Sequence, residues 1–158
     1  VTAECTIPRE LLIQRMRVSP EQLRKARAMS MTGAFIVGAN SNGSHVANAV
    51  AALFIATGQD LGNVAESSAA TSFIEVTDDG DFYISLTLPA LIVATYGGGT
   101  GLPTQRECLE LLGCHGKGHA TKLAEITAAL ALAGDLSLAA AVTAEEWVTA
   151  HEKYGRNR

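Results

Sequence analysis

Several features that mark common functional classes are scarce or missing in this sequence. Basic residues do not predominate, since 12 Lys and Arg stand against 16 Asp and Glu and the formal net charge is −4. This balance argues against a nucleic-acid surface, which depends on clustered Lys and Arg. The three cysteines, Cys5, Cys108 and Cys114, form no C-x-x-C pair and have no metal-ligand spacing with the four histidines. We therefore expect reduced thiols, a cytoplasmic location and no metal site.

Long hydrophobic runs are also lacking. The run over 46–57 is interrupted by Asn48 and is shorter than the roughly 20 residues that a membrane-spanning helix needs. No basic and then apolar leader opens the chain, so we expect no membrane segment in it. The chain begins at Val1 rather than Met, and residues 1–6 have the composition of a buried strand. This beginning predicts a piece of a longer protein.

Aromatic residues are few, at 5%, but the rest of the composition is that of a folded domain. Of the 158 residues, 47% are hydrophobic and 18% are charged, and a chain of this length can bury a core. No internal repeat is present, and no linker divides the chain. The elements described below predict an α+β fold that is mainly helical, with a central buried helix and a β-hairpin.

Proline, glycine and capping signals predict two helices near the start. Pro8 suits the first turn of a helix over residues 9–18. A Ser-Pro pair at Ser19, with Gln22 at capping-box spacing, predicts the start of a second helix. We expect this helix to end before Gly33, where a segment rich in Gly, Asn and Ser begins.

The most informative stretch runs from His45 to Asp60 and predicts an apolar helix that stops at Gly58. His45 and Asn48 are three residues apart at the helix start and so share one face, whereas Asp60 lies just beyond the end. A buried helix needs none of these polar groups. Their position at its two ends predicts a functional site, although a lone Asp60 is more often a capping or surface carboxylate.

The middle of the chain predicts a hairpin and then a helix. Apolar residues alternate over 69–91 with a turn at 78–81, which is typical of two antiparallel strands. Thr104 and Glu107 have capping-box spacing for a helix that ends at about Leu112.

Two further helices are predicted towards the end. A long Ala-rich helix over about 120–133 is expected to stop at Gly134, and Thr143 with Glu146 predicts the start of the last one. His151 would lie in the last turn of that helix, where the helix dipole favours the protonated imidazole. Both a proton donor and a solvated surface histidine are open interpretations.

Glycines and basic residues supply three further candidate binding sites. The run Gly97, Gly98, Gly99 and Thr100 lets a backbone approach a ligand closely, but a tight turn is the common alternative. The dinucleotide fingerprint G-x-G-x-x-G is not met, because Leu102 takes the place of its third glycine. There are two small basic clusters. One is Arg9, Arg15 and Arg17, and the other is Lys153, Arg156 and Arg158. Each could bind phosphates of a small ligand or be solvated surface.

Six motifs occur along the chain in a fixed order. They are AECTIP at 3–8, SHVANAVAALFIATGQD at 44–60, DFYISLTLP at 81–89, YGGGTGLPTQRECLELLG at 96–113, LAGDLSLAAA at 132–141 and AHEKYGRNR at 150–158. With these motifs in this order, the chain resembles the hydroxymethylglutaryl-CoA reductases over essentially its whole length. The soluble enzymes of bacteria and archaea look more similar than the membrane-tethered animal enzyme.

The resemblance implies an oxidoreductase of the mevalonate pathway of isoprenoid biosynthesis. In that family, two hydride transfers from NADPH or NADH reduce hydroxymethylglutaryl-CoA through mevaldehyde to mevalonate and release CoA. A developing alkoxide needs acidic groups, and the departing thiolate needs a proton. By resemblance, Asp60 matches the central catalytic aspartate and His151 matches the histidine that protonates the thiolate, so both belong to one proton network.

The resemblance also assigns binding residues and an assembly. The substrate-side residues are His45 and Asn48, Arg15 and Arg17 at CoA, and Leu138 near the acyl group. The cofactor-binding residues are Gly97, Gly98, Gly99, Thr100 and Arg156. Asn48 is expected to bond into the catalytic network. Because the family assembles its active sites between subunits, a homodimer or higher oligomer is implied.

The match to the family fails at several places. Its upstream catalytic glutamate and lysine lie outside this chain, and Ser-Met-Thr at 30–32 stands where a further lysine usually precedes Gly33. We therefore interpret the chain as the C-terminal part of a reductase that is inactive alone. Residues 1–7 would be the last strand of the inserted nucleotide-binding domain, and 8–158 the large substrate-binding domain. Two alternatives are a truncated inactive relative kept for dimerisation or CoA binding, and an unrelated helical module whose glycine loop holds an anion.

Overall fold

The computed structural model describes residues 1–39 and 41–155. Its helices are α1 (Arg9–Met16), α2 (Pro20–Ile36), α3 (Val46–Thr57), α4 (Val64–Ser67), α5 (Pro103–Leu111), α6 (Ala120–Thr143) and α7 (Glu146–Tyr154). Its strands are β1 (Thr2–Ile7), β2 (Thr71–Val76) and β3 (Phe82–Thr87), and short 3₁₀ turns lie at Leu61–Asn63 and Gly98–Gly101. The expected α+β fold, mainly helical with a hairpin, is confirmed.

The predicted hairpin of β2 and β3 is extended by β1 into a three-stranded antiparallel sheet. The strand order is β1-β3-β2, and Phe82 of the central strand lies opposite both Ile7 and Val76. Phe82, Ile84 and Leu86 alternate along β3 and are buried. Most residues of β1 are exposed, so the prediction of a buried strand is wrong. As an edge strand, β1 is covered by a neighbouring strand on one side only.

The central buried helix is α3. It packs against α5 and α6, and Val50 and Phe54 on its inner face are 0% exposed. Burial of a side chain of this size contributes about 1.5–3 kcal/mol. The helix ends at Gly58, whose φ of 69° lies in the left-handed region that glycine adopts readily. The predicted helix and its stop are therefore both confirmed.

The second helix begins as predicted but ends later. The Gln22 amide donates to Ser19 Oγ at 3.3 Å and the Ser19 amide donates to Gln22 Oε1 at 2.7 Å, which confirms the capping box. α2 then continues through Gly33, where the prediction had it end. The chain leaves the helix near Gly38 instead, where φ is 67°. A glycine stops a helix only where the backbone turns left-handed.

The other two predicted capping boxes do not form. α5 begins at Pro103, so Thr104 lies inside the first turn rather than before it. Proline at the first helical position determines this start. Thr143 is the last residue of α6, and α7 follows Glu145, which is left-handed with φ of 60° and gives no side-chain cap.

The long helix α6 has 24 residues, and the prediction that it stops at Gly134 is wrong. A helix tolerates one internal glycine at a cost of about 1 kcal/mol. By length and composition, α6 is apolar enough to cross a membrane. In this fold it packs against α2, α3, α7 and the sheet, and it buries residues along its length such as Leu123 and Leu136. These are the contacts of a core helix.

One buried carboxylate of α6 caps the start of α3. Oδ1 of Asp135 accepts the backbone amides of Ser44 at 2.8 Å and of His45 at 2.6 Å. His45 stands at the N-cap of α3 and makes no side-chain cap bond of its own. Asp135 therefore supplies from another helix the acceptor that an N-terminal cap usually provides locally.

Burial governs the ionisation of this carboxylate. It raises the pKa of Asp135, while the two backbone amides and the charge of Arg27 oppose part of the rise. Arg27 on α2 is half-buried and donates to the carbonyls of Asn42 and Ser72, and burial lowers the pKa of its guanidinium. These polar groups join α2, α3, α6 and the sheet.

The raised pKa predicts that Asp135 makes stability depend on pH. Its contribution is fully present below its ordinary pKa of 3.8 and is lost as the pH rises through the folded value. Asp135→Asn keeps the Oδ1 acceptor without the charge, so its free energy of unfolding should rise relative to wild type from about pH 3 to about pH 7. Asp135→Ala removes the acceptor and should lose about 1–3 kcal/mol at low pH, with a smaller loss relative to wild type as the pH rises. Denaturant titrations across this range measure both effects, and identical pH profiles for wild type and Asp135→Asn would contradict the first.

Candidate active site

The predicted polar groups lie at opposite ends of α3. His45 directly precedes the helix and Asn48 lies in its first turn, whereas Asp60 follows Gly58 at the other end. A helix of 12 residues is about 18 Å long. Within the described part of this chain, Asn48 and Asp60 are therefore separated by the length of the helix.

His45 is held by two neighbouring residues of α6. Its amide donates to Asp135, and its imidazole packs over Gly134 so closely that a β-carbon there would overlap the ring. Nδ1 of His45 is buried and has no hydrogen-bond partner among the described residues. Sequence reasoning took Gly134 only as the stop of the helix and assigned no role to Asp135. The signal that points to them is the single carboxylate in the apolar stretch 132–141, because buried carboxylates are normally bonded.

Asp60 is exposed on the turn that follows α3. Its Oδ1 accepts the Gly62 amide at 2.9 Å and so caps the 3₁₀ turn Leu61–Asn63. The capping interpretation is thus confirmed. The same bond holds the carboxylate at the start of the turn, where a ligand from solvent can reach it.

The glycine run forms a tight turn that touches the end of α3. Gly97 and Gly98 have φ of 83° and 54°, and the buried hydroxyl of Thr100 donates to the Gly97 carbonyl at 2.6 Å. A β-carbon on Gly99 would lie 2.6 Å from the carbonyl oxygen of Gly58. Only glycine permits such a backbone approach. Two of the predicted motifs are therefore brought together.

The outer side of this loop is open. A β-carbon on Gly97, Gly98 or Gly101 would meet no atom within 4 Å. The space beside these three α-carbons is therefore free of other atoms of the described chain.

His151 lies in the last turn of α7, as predicted, and is exposed. Its Nδ1 is 2.7 Å from the Trp147 carbonyl oxygen, and the two rings lie with centroids 4.1 Å apart. When Nδ1 donates to this carbonyl, Nε2 is the nitrogen left for a ligand. α7 packs on α6, and in the described ranges no hydrogen bond or ion pair joins His151 to Asp60.

The arginines predicted to bind CoA lie at the end of α1. Arg15 is in its last turn, Arg17 follows with φ of 58°, and both are exposed. Arg17 pairs with Glu146 at the start of α7. An exposed pair contributes at most about 1 kcal/mol, so a phosphate can compete for Arg17. Arg156, predicted to bind the cofactor, lies outside the described residues.

Leu138 lines a largely apolar cavity of about 170 Å³ between α2, α6 and the sheet. Arg27 and Asp135 are among its walls. Leu138 follows Gly134 by four residues and so lies one turn along the same side of α6. The structure thus places the predicted substrate residues His45 and Leu138 along one side of α6.

Comparison with known proteins identifies one family. The family model described as hydroxymethylglutaryl-coenzyme A reductase matches residues 1–156. A 3-hydroxy-3-methylglutaryl-coenzyme A reductase of Pyrococcus horikoshii is 41% identical over 99% of this chain and 39% of the relative. The Aeropyrum pernix enzyme of that name is 44% identical over 99% of this chain and 38% of its own length. The chain therefore spans about two fifths of the length of the curated relatives it matches.

A plant relative is also similar. The 3-hydroxy-3-methylglutaryl-coenzyme A reductase 1 of Oryza sativa subsp. indica is 39% identical over 99% of this chain and 31% of its own length. The match thus extends beyond archaeal sequences.

Replacing Gly134 by alanine tests whether α6 sets the position of His45. The new β-carbon should displace the imidazole, while the gain in helix propensity offsets part of the packing strain. We expect the His45 ring resonances to shift in NMR spectra and the free energy of unfolding to change by less than about 2 kcal/mol. Ser137→Ala, on an exposed position of α6, should leave these resonances in place. Unchanged His45 resonances in Gly134→Ala would refute the contact.

The contact between the two glycine segments predicts a difference between two matched variants. Gly58 and Gly38 have nearly equal φ values, 69° and 67°, but a β-carbon would strike the Gly99 backbone only at Gly58. Gly38→Ala should therefore lose about 1–2 kcal/mol from left-handed strain alone. Gly58→Ala should lose at least about 2 kcal/mol more. Thermal or denaturant unfolding measures both, and equal losses would show that the contact contributes nothing.

Proposed function

We propose that this chain, which belongs to the hydroxymethylglutaryl-coenzyme A reductase family, forms the C-terminal part of an enzyme. That enzyme would reduce hydroxymethylglutaryl-CoA to mevalonate and CoA. The reaction would use NADPH or NADH and belong to the mevalonate pathway of isoprenoid biosynthesis. The protein would act in the cytoplasm.

One observation carries this proposal. The turn that bears Asp60 is in backbone contact with the loop of Gly97, Gly98 and Gly99, whose outer side is open. A carboxylate beside a loop that admits a flat ring suits a reduction in which charge develops on oxygen. The nicotinamide, when bound, supplies the hydride. Gly97, Gly98, Gly99 and Thr100 would hold its ring, and Asp60 would govern the protons nearby.

The remaining residues would act on the substrate. As an imidazolium, His151 would keep its Nδ1 proton on the Trp147 carbonyl and give its Nε2 proton to the departing thiolate, which leaves a neutral ring and a free CoA thiol. His45 and Asn48 would contact the substrate at the other end of α3, with Leu138 beside the acyl group. Arg15 and Arg17 would meet the phosphates of CoA, and Arg156 those of the cofactor.

A homodimer or higher oligomer would complete the site. Asp60 and His151 are not joined within the described part of one chain, which supports a site shared between two chains. The end of α2 also exposes a run of apolar side chains, with Phe35, Ile36 and Val37 exposed by 86%, 75% and 77%. A contiguous apolar patch of this kind favours burial against another polypeptide surface.

A second candidate function is that of a catalytically inactive relative that binds CoA or mediates dimerisation. The exposed apolar side chains at the end of α2 favour a surface that binds another polypeptide. CoA binding without NADPH oxidation in any extended form would favour it.

Activity measurements decide between the two. The 158-residue chain alone should not oxidise NADPH with hydroxymethylglutaryl-CoA, whereas a polypeptide extended upstream through the glutamate and lysine should. In the extended form, Asp60→Asn should lower kcat by about 10²- to 10⁴-fold. Asp78→Asn, on the exposed hairpin turn, is the matched control and should leave kcat unchanged. Turnover by the chain alone, or an inactive extended form, would refute the proposal.

A further inference from the structure

The side chain of Gln59 binds the backbone that leads into the glycine loop. Its Nε2 donates to the Ala94 carbonyl at 2.8 Å, and its Oε1 accepts the Ala94 amide at 2.7 Å. The same Nε2 lies 3.1 Å from the Thr57 carbonyl. Gln59 is buried, so its own amide group needs hydrogen-bond partners within the protein, and the backbone of Ala94 and Thr57 supplies them.

The segment that Gln59 holds is bound at two other points. The Ile92 amide donates to Ser67 Oγ at 3.1 Å. On the opposite side, Thr95 Oγ1 donates to the Gly116 carbonyl at 2.6 Å, and the Gly116 amide donates to the Thr95 carbonyl at 2.8 Å. The 92–95 segment therefore takes much of its order from bonds to side chains and loops rather than from a sheet.

Gln59 has a special place among these bonds. It directly precedes Asp60, and Ala94 comes three residues before Gly97. Gly58, which makes the backbone contact with Gly99, directly precedes Gln59 in the chain. Together, the contact and the amide pair join the two loops at two points and so oppose both sliding and rotation of one loop against the other.

The amide group suits this role because it donates and accepts at once. A carboxylate would set its negative oxygen against the Ala94 carbonyl, and an apolar side chain would remove the partner that Gln59 gives to the Ala94 amide and carbonyl. A position that faced only the core would need neither property.

We infer that Gln59 is a positioning residue, which holds the Asp60 turn and the Gly97–Thr100 loop in one fixed arrangement for hydride transfer. The catalytic part of this inference rests on the proposed function. The structural part concerns the loop alone.

Three variants separate positioning from general stability. Gln59→Met keeps the size of the side chain and removes both bonds. Gln59→Glu keeps an acceptor and regains a donor only when its carboxyl is protonated. Ser67→Ala is the control, because it removes a bond to the same segment at Ile92, away from both motifs.

Amide hydrogen exchange of the 158-residue chain tests the loop. The amides of Thr100 and Leu102, which bond to the carbonyls of Gly97 and Gly99, should exchange about tenfold faster or more in Gln59→Met. In Ser67→Ala they should change by less than about threefold. In Gln59→Glu the exchange should return towards the wild-type rate as the pH falls to about 5, relative to wild type at each pH.

Kinetics of the extended polypeptide test the consequence. Gln59→Met should lower kcat by about 10- to 100-fold, with KM for hydroxymethylglutaryl-CoA within about threefold. Ser67→Ala should keep kcat within about threefold, and Gln59→Glu should regain kcat relative to wild type at lower pH. The two variants are compared under conditions in which their free energies of unfolding are equal. A difference in kcat between Gln59→Met and Ser67→Ala then cannot come from a general loss of stability.

The outcomes are distinct. If Gln59→Met changes neither loop exchange nor kcat more than Ser67→Ala does, the inference is overturned. If the loop exchanges faster but kcat holds, the role in hydride transfer is overturned. An inactive unsubstituted polypeptide would end the proposed function, while the exchange of Thr100 and Leu102 would still decide whether Gln59 holds the loop. Should Gln59→Met fail to fold, Gln59→Glu at high and low pH supplies the same comparison.

Discussion

Both ends of α3 approach other parts of the chain so closely that no β-carbon fits between them. At the start, Gly134 of α6 lies against the His45 ring, and at the end, Gly58 and Gly99 meet backbone to backbone. The helix between them is apolar and buried, so hydrophobic burial holds it in the core without specifying how its ends are placed. The glycines specify this, because a close backbone contact leaves little freedom to slide.

Buried polar side chains, together with the glycines, specify how the ends of α3 are placed. Asp135 caps α3 from α6, and Gln59 pairs with both backbone groups of Ala94. An unmade bond to a buried polar group is costly, so each of these side chains admits few alternative arrangements. The polar residues named here at the two ends of α3 are therefore of two kinds. Asp135 and Gln59 are buried and hold backbone, whereas Asp60 and Asn48 are exposed and accessible to a ligand.

This division bears on how the family's site is distributed along the chain. The sequence order places Asp60 and the glycine loop about 40 residues apart, and the fold brings Gly58, two residues before Asp60, into backbone contact with Gly99 of the loop. His45 and Leu138 lie along one side of α6, at the opposite end of α3. His151 sits on a terminal helix that packs on α6. Within the described residues, the residues of the proposed site therefore lie at several separate places on one chain.

Periodicity and capping chemistry are local, so the sequence by itself determined α3, the β2–β3 hairpin, the start of α2 and the place of His151 in its helix. The ordered motifs likewise determined the family. Only the tertiary structure decided that Gly33 and Gly134 continue their helices, because glycine adopts helical and left-handed backbone angles equally readily and the sequence does not say which one it takes. The sequence could indicate Asp60 and the glycine loop, but not Asp135 or Gln59. The partners of these two side chains are distant in sequence, and only packing shows that a buried amide or carboxylate has found them.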